Sequence, residues 1–427
     1  MKIPGKRVSI PFIKIEFWTM AVLLAAFVQF QCAERQHSNP LDPLNPVTEG
    51  KPSGLRVVSD HHKVLLDWPA IGIHSITGYA IYRRADSSAV RKIAALPALK
   101  RAFTDTQTTY GTRYHYSYAV IAGNYESPLS DPVAITPGPS FFWVSYGSIG
   151  EILKLTFDIE HTYKTVDGLA YPSTMALDKM SRGIWAADEY LGQINRISGS
   201  GEIRQRIDGF GRITSIAVDT VAERIWIADS RNKRVVNLDE TGNALFAVSG
   251  LENPARLAVD QKRGSCWIVD TAQKIVLQTN RSGGALHTIK SLLNPKWVSI
   301  PGKDGSVWVA DSSRVVRISL EGKILSTVTG FKYAYRVAPD FKRNVVWVLD
   351  QSYGWVGTEL IKADENGRRL VQLKGFGFPK NMVIDSFDGS CVVADTYNLR
   401  VVKVSSNGEI SNEWKYGASP WWVAIEK

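Results

Sequence analysis

The sequence predicts an all-β protein: a closed ring of seven four-stranded sheets, a β-propeller, preceded by a small immunoglobulin-like β-sandwich. Three observations lead there. A phrase ending in Asp recurs as Ile184-Trp-Ala-Ala-Asp188, Ile225-Trp-Ile-Ala-Asp229, Cys266-Trp-Ile-Val-Asp270, Val307-Trp-Val-Ala-Asp311, Val346-Trp-Val-Leu-Asp350 and Cys391-Val-Val-Ala-Asp395, with Phe142-Trp-Val-Ser-Tyr146 as a worn seventh copy. Its Asp residues stand 41, 41, 41, 39 and 45 residues apart, the interval at which self-similarity marks a propeller blade of four strands. Finally, Pro420-Trp-Trp-Val-Ala-Ile-Glu426 matches the start of a repeat, and the Phe142 copy supplies the strands it lacks. The last strand is therefore expected to complete the first sheet, leaving no open edge. Six blades is the alternative if the Phe142 copy stands outside the ring.

A chain of 427 residues, 44% hydrophobic and 22% charged, has material for two globular domains. The net charge of +10 includes Lys2, Lys6, Arg7 and Lys14 at the N-terminus; elsewhere both signs are interspersed. With no dense basic run and no recognition motif, nucleic acid is excluded as a partner. Three cysteines cannot build a disulfide framework. Cys266 and Cys391 occupy the same place in the repeat, where other copies carry Ile or Val, so they are expected to fill a buried slot.

Residues 1–32 combine a basic start with the uncharged run Phe17 to Gln31, about 15 residues and short of the roughly 20 that span a bilayer. Export follows. Cys32 resembles the acylated cysteine of a bacterial lipoprotein, although Gln31 and Gln29 replace the small residue and the Leu that family carries before it. The resemblance implies a chain tethered in the cell envelope through a lipid, with an uncleaved anchor or plain secretion as alternatives. Residues 33–50, with Pro40, Pro43 and Pro46 three apart, are expected to form an extended linker.

Residues 51–138 change to short alternating strands, including Val64-Leu-Leu-Asp-Trp68, Gly78-Tyr-Ala-Ile-Tyr82 and Tyr114-His-Tyr-Ser-Tyr-Ala-Val-Ile121. The segment resembles a fibronectin type III domain through Pro52, Trp68 and Gly111-Thr-Arg-Tyr114. That resemblance implies a spacer in which the Tyr114 hydroxyl bonds back to nearby backbone. His61, His62, His74 and His115 lack metal-ligand spacing.

Residues 141–427 hold the ring. Asp229-Ser-Arg-Asn-Lys-Arg-Val235 and Asp395-Thr-Tyr-Asn-Leu-Arg-Val401 resemble the hairpin signature of NHL repeats, whose usual propeller has six blades. The recurring Asp is expected to accept N–H groups of the following turn. Trp143, Trp185, Trp226, Trp267, Trp308 and Trp347 are expected between sheets, one strand further out than a position in the innermost strand that is nearly always small: Ala176, Ala217, Ala258, Ser299, Ala338, Val383 and Ala424.

The third residue of each innermost strand varies freely: Thr174, Ser215, Arg256, Trp297, Arg336, Asn381 and Trp422. These are expected at the channel mouth, where Arg256 and Arg336 would bind an anion, Trp297 and Trp422 would offer flat faces, and Asn381 an amide. A long hairpin adds Tyr353 and Trp355 as contact residues. Glycan, peptide or protein are the ligand classes this set admits. An enzyme is not expected. Gluconolactonase-like propellers, which the layout resembles, hold a cation with carboxylates and an amide, and here Asn381 has no carboxylate beside it; His161 and His287 lie in different repeats. No cofactor and no metal site is therefore assigned. The alternatives to a binding protein are a metal-dependent hydrolase or lyase of that type and a purely structural envelope protein.

Overall fold

Strands whose two faces are both apolar need a sheet packed on each side of them, and the repeats supply such strands. The computed structural model describes residues 37–427 apart from 74, 87, 179–181, 300, 301, 303 and 352–356. Cys32, Tyr353 and Trp355 lie outside the described residues. The fold is all-β, and among the described residues helix is limited to two 3₁₀ turns, Gly147–Ile149 and Thr396–Asn398.

The described residues form two compact units, one of residues 37–56 with Leu66–Phe103 and Tyr114–Ala134, the other of Val57–Leu65, Thr104–Arg113 and Ile135–Lys427. In the first, Gly78–Ala85 pairs with Arg91–Pro97 and Tyr114–Ala122. Trp68 stacks on Tyr118 at 5.4 Å and meets Tyr79 edge-on at 5.3 Å. The hydroxyl that reaches back to backbone over a long stretch of chain is that of Tyr118, donating to the Ser53 carbonyl at 2.7 Å. The Arg83 guanidinium lies over the Tyr114 ring, 5.1 Å from its centroid. Residues 37–50 are a run of turns rather than an extended tether: Asn45 accepts from the Val47 and Thr48 amides, and Leu41 is buried.

In the second unit the repeats form antiparallel sheets. Pro172–Asp178 opens one, Ile213–Asp219 the next and Pro254–Val259 the third, each followed outward by three strands. A six-stranded sheet then holds two repeats, because Val307–Ile318 and Ile324–Asp340 each run on where other repeats break into two strands. Asn381–Ile384 opens the last four-stranded sheet in sequence. Seven four-strand repeats result among the described residues.

The remaining strand closes the circle. Trp422–Glu426 pairs with Phe141–Tyr146, Ala424 opposite Trp143, and becomes the innermost strand of the sheet that continues through Glu151–Leu155 and Thr162–Val166. Each innermost strand touches the next, from Trp422–Glu426 through Pro172–Asp178 and onward until Asn381–Ile384 returns to Trp422–Glu426. Apolar clusters fill the space between neighbouring sheets, such as Trp185, Ile194, Ile216, Ile225 and Leu238. The small positions face the tryptophans across the first strand pair: Ala176 opposite Trp185, Ala217 opposite Trp226, Ala258 opposite Trp267, Ala338 opposite Trp347. All six tryptophans are buried, as the taper of a wedge-shaped sheet requires.

A buried ionic lock fastens the closing strand. The Glu426 carboxylate accepts from Trp143 Nε1 at 2.7 Å and from Lys154 Nζ at 2.9 Å, and the side chains of Lys154 and Glu426 are only 4% and 10% exposed. Removing one partner of such a pair strands the other charge in a dry site, which costs about 3–5 kcal/mol. Glu426→Ala is therefore expected to lower stability by about that amount in urea unfolding, and a loss under about 1 kcal/mol, the scale of an exposed pair, would remove the lock from the account of closure.

Candidate functional site

The recurring Asp residues are buried and occupied, which sets the floor of the site. Asp188, Asp229, Asp270, Asp311, Asp350 and Asp395 are at most 1% exposed. Each accepts amide N–H bonds from the chain entering its own repeat, 17 or 18 residues earlier: Asp188 from Ala170 and Tyr171, Asp311 from Leu293 and Asn294, Asp350 from Lys332 and Tyr333. The expected bonds to the following turn exist at Asp188, from Leu191, and at Asp270, from Ala272 and Gln273, but they are the smaller part of the pattern. Arginine completes the cage at Asp229, Asp311 and Asp395. These carboxylates tie the incoming loop to the second strand and are not free for catalysis.

The innermost strands carry a second regularity. In five of them the register slips between the first and third residues, at Pro172/Thr174, Ile213/Ser215, Pro254/Arg256, Pro295/Trp297 and Ala334/Arg336. A bulge leaves one residue unpaired and turns its side chain away from strict alternation. In four of these strands the second residue, Thr214, Ala255, Lys296 or Tyr335, thereby lines the mouth of the ring.

The third residues do not stand open as expected. Thr174, Ser215 and Asn381 are at most 2% exposed, and Trp297 and Trp422 are 7% exposed. Trp297 and Trp422 meet across the ring with centroids 5.7 Å apart. Arg256 lies 3.7 Å over Trp297 and 4.6 Å over Trp422, and Arg336 lies 4.2 Å over Trp297. Two half-buried guanidiniums and two indoles thus plug the axis. Arg256 donates to the Ser215 hydroxyl, and Arg336 to the carbonyls of Lys380 and Tyr335; none of these partners is a carboxylate. Burial, and for Arg256 next the charge of Arg336, lowers the affinity of each guanidinium for its proton, Arg336 to about 10. Both stay charged at neutral pH, held by the indole faces.

Above the plug is a cleft of about 350 Å³ lined by Thr214, Ala255, Thr271, Lys296, Trp297, Tyr333, Tyr335, Arg336, Gln351, Phe378, Lys380 and Trp422. That size suits a small ligand. Of the residues singled out from sequence, Trp297, Arg336 and Trp422 line it; Arg256 lies behind the indoles, and Asn381 is turned to the Val423 carbonyl at 3.5 Å. Lys296, Tyr335 and Lys380 each stand one residue before a third-position residue of their repeat and were not singled out from sequence. The lining contains five aromatic rings, three cations and no carboxylate. Burial depresses the Lys380 ammonium, and Arg336 beside it adds to the effect; burial and then Lys274 depress Lys296.

Rings extend from this cleft in a row. Tyr335 stacks on Phe378 at 6.1 Å, and Phe378 meets Tyr397 at 5.4 Å. Lys380 sits between Phe378 and Trp421, 4.3 and 4.9 Å from their centroids. Trp421 meets Tyr171 at 5.2 Å and Tyr171 meets Tyr190 at 6.5 Å. Phe378 holds φ at +47°, a left-handed conformation that costs a non-glycine residue about 1–3 kcal/mol.

Away from the cleft, Asp158, Glu160 and His161 place their ligand atoms within 4.8 Å of one another. Close sequence spacing was its only signal. The Asp158 carboxylate accepts from the Thr156 hydroxyl and the Thr136 and Glu160 amides, while Glu160 accepts from Arg113 and Asn412. Protein donors thus already serve the oxygens a cation would need. Cys266 and Cys391 are buried thiols, and burial pushes both up.

No family model matches the chain, and no curated protein matches it in sequence. Solved structures do. A functionally unknown protein from Desulfotomaculum acetoxidans is 10% identical with a TM-score of 0.57 over 67% of this chain and 98% of that one. A protein from Bacteroides uniformis named a "putative 6-phosphogluconolactonase" is 11% identical with a TM-score of 0.56 over 67% and 99%. Hydrazine synthase of Kuenenia stuttgartiensis is 10% identical with a TM-score of 0.50 over 58% and 80%. At such identities the likeness is one of fold alone, a propeller-type β fold.

The two depressed lysines offer a direct check. With lysines methylated by carbon-13 formaldehyde and followed by NMR, Lys296 and Lys380 should lose their protons below the ordinary value of 10.5. Arg336→Gln removes a like charge and should move Lys380 upward while leaving Lys296 in place. An unmoved Lys380 would contradict the arrangement described.

Proposed function

We propose that the chain is an exported binding protein: a seven-bladed propeller of NHL-like repeats, carried on a fibronectin type III-like spacer, that holds an anionic, sugar-like ligand in the cleft at its channel mouth. One observation carries the reading. Lys296, Arg336 and Lys380 converge with five aromatic rings where no carboxylate lines the wall, and none of the three is paired with an acid among the described residues. Cations left without counter-charge in a partly desolvated cleft favour an anion, and flat rings favour a ligand with an apolar face.

Export and the tether at Cys32 belong to the same proposal and rest on the leader sequence alone. Among the described residues no helix is long and apolar enough to cross a membrane.

The enzyme reading draws on the neighbour whose name denotes hydrolysis of a phosphorylated sugar lactone, since that name combines an anion with a sugar ring. It predicts turnover of sugar lactones that depends on an added divalent cation. The binding reading predicts saturable binding without turnover.

Calorimetry with glucuronate, inorganic phosphate and uncharged glucose separates the cases. Glucuronate is expected to bind in preference to glucose and to weaken as salt screens the cleft. Lys296→Ala combined with Lys380→Ala should weaken glucuronate at least about tenfold, the effect of losing about 1.4 kcal/mol. Equal affinity for glucose, or an unaffected double variant, rules the proposal out. A purely structural protein would bind none of the three.

A further inference from the structure

The row of rings continues past the space a small ligand fills. Tyr190 and Tyr397 end it on opposite sides, 84% and 62% exposed, and both stand two residues after the recurring Asp of their repeats, Asp188 and Asp395. The same place carries Arg231, Ala272 and Ser313 in three other repeats, so the tyrosines are not demanded by the hairpin. Between them run Phe378, Lys380, Trp421 and Tyr171, in steps of 4.3 to 6.5 Å.

We infer that this row is an extended binding surface for an acidic oligosaccharide, with one charged sugar seated in the cleft and its neighbours stacked outward on the rings toward Tyr190 and Tyr397. The inference rests on the anion reading of the cleft and names the polymer to which that anion belongs.

The chemistry favours a saccharide over a peptide. Flat exposed rings accept the apolar face of a sugar without needing partners for backbone amides, whereas an extended peptide requires free N–H and C=O groups along its path. The innermost strands have spent theirs: the amides of Lys380 and Trp421 donate to the Ala394 and Ser145 carbonyls. Lys380, lying between two rings and in no ion pair with an acid among the described residues, suits a sugar that carries carboxylate or sulfate. Glu189, adjacent to Tyr190, would repel such a ligand, but Arg212 engages it at 2.7 Å.

Titration calorimetry on the full-length protein tests this with uronate oligomers of one to six residues, built from galacturonate, from mannuronate or from alternating glucuronate and N-acetylglucosamine. Neutral maltohexaose and hexaglutamate are the comparison probes. At least one acidic series should tighten about tenfold between the monosaccharide and the hexasaccharide. Tyr190→Ala with Tyr397→Ala should flatten that dependence and leave monosaccharide affinity unchanged; since both side chains project into solvent, circular dichroism should show an unaltered fold. Monosaccharide binding with no gain from length in any series overturns the extended surface while leaving the cleft reading intact. Absence of binding by every acidic sugar, monosaccharides included, removes both. Hexaglutamate or maltohexaose binding as tightly as the acidic hexasaccharides overturns the choice of ligand.

Discussion

Everything in the second unit depends on one strand pairing, which brings together Trp143 and Glu426 from 283 residues apart. Trp422–Glu426 must find Phe141–Tyr146 before the ring has a first sheet, a closed circle of innermost strands or a mouth. Backbone pairing alone would tolerate a slip of register, and a slip by one residue would turn every side chain to the opposite face. The buried Glu426 carboxylate resists that slip, because only one register places it between Trp143 Nε1 and Lys154 Nζ. A desolvated charge is a poor source of stability but a strong source of specificity when every alternative leaves it unpaired.

The same logic runs through each repeat at smaller scale. An Asp at the end of the second strand is buried because it gathers amides from the loop that enters the repeat, so the loop has one permitted path. With that path set, the first strand emerges at a defined height and its third residue faces the axis. The mouth is thus a surface on which side chains vary while their backbone positions do not, an arrangement suited to ligand recognition on a rigid frame.

Within the mouth, packing and charge oppose each other. Arg336 and two lysines line a cleft whose wall carries no acid, and Arg256 packs on the same indoles, a cost offset at the arginines by stacking on Trp297 and Trp422. An apolar core would have been cheaper at the axis, and isolated waters or neutral amides would have served as plugs. On the proposed function, uncompensated positive charge held beside flat rings favours an anion with an apolar face. The left-handed Phe378 and the row of tyrosines belong to the same face, so the strain in that segment falls where contacts to a ligand would be made.

The repeat phrase, its spacing, the small residue opposite each tryptophan and the unfinished final copy determined the all-β class, the strand order and the circular closure, because each is a local pattern whose period the backbone must obey. Arg336, Trp297 and Trp422 could be placed near the mouth for the same reason. Which side chains share the cleft was decided only in three dimensions. A bulge early in the innermost strands swings Lys296 and Tyr335 toward the mouth, against the alternation that a strand's sequence displays. Arg256 and Asn381 were absorbed into the ring by a stack and a carbonyl that lie on other repeats, roughly 40 residues or more away in sequence. A period describes how one strand presents its own residues; what two distant strands do to the space between them depends on their separation and angle, which exist only once the circle has closed.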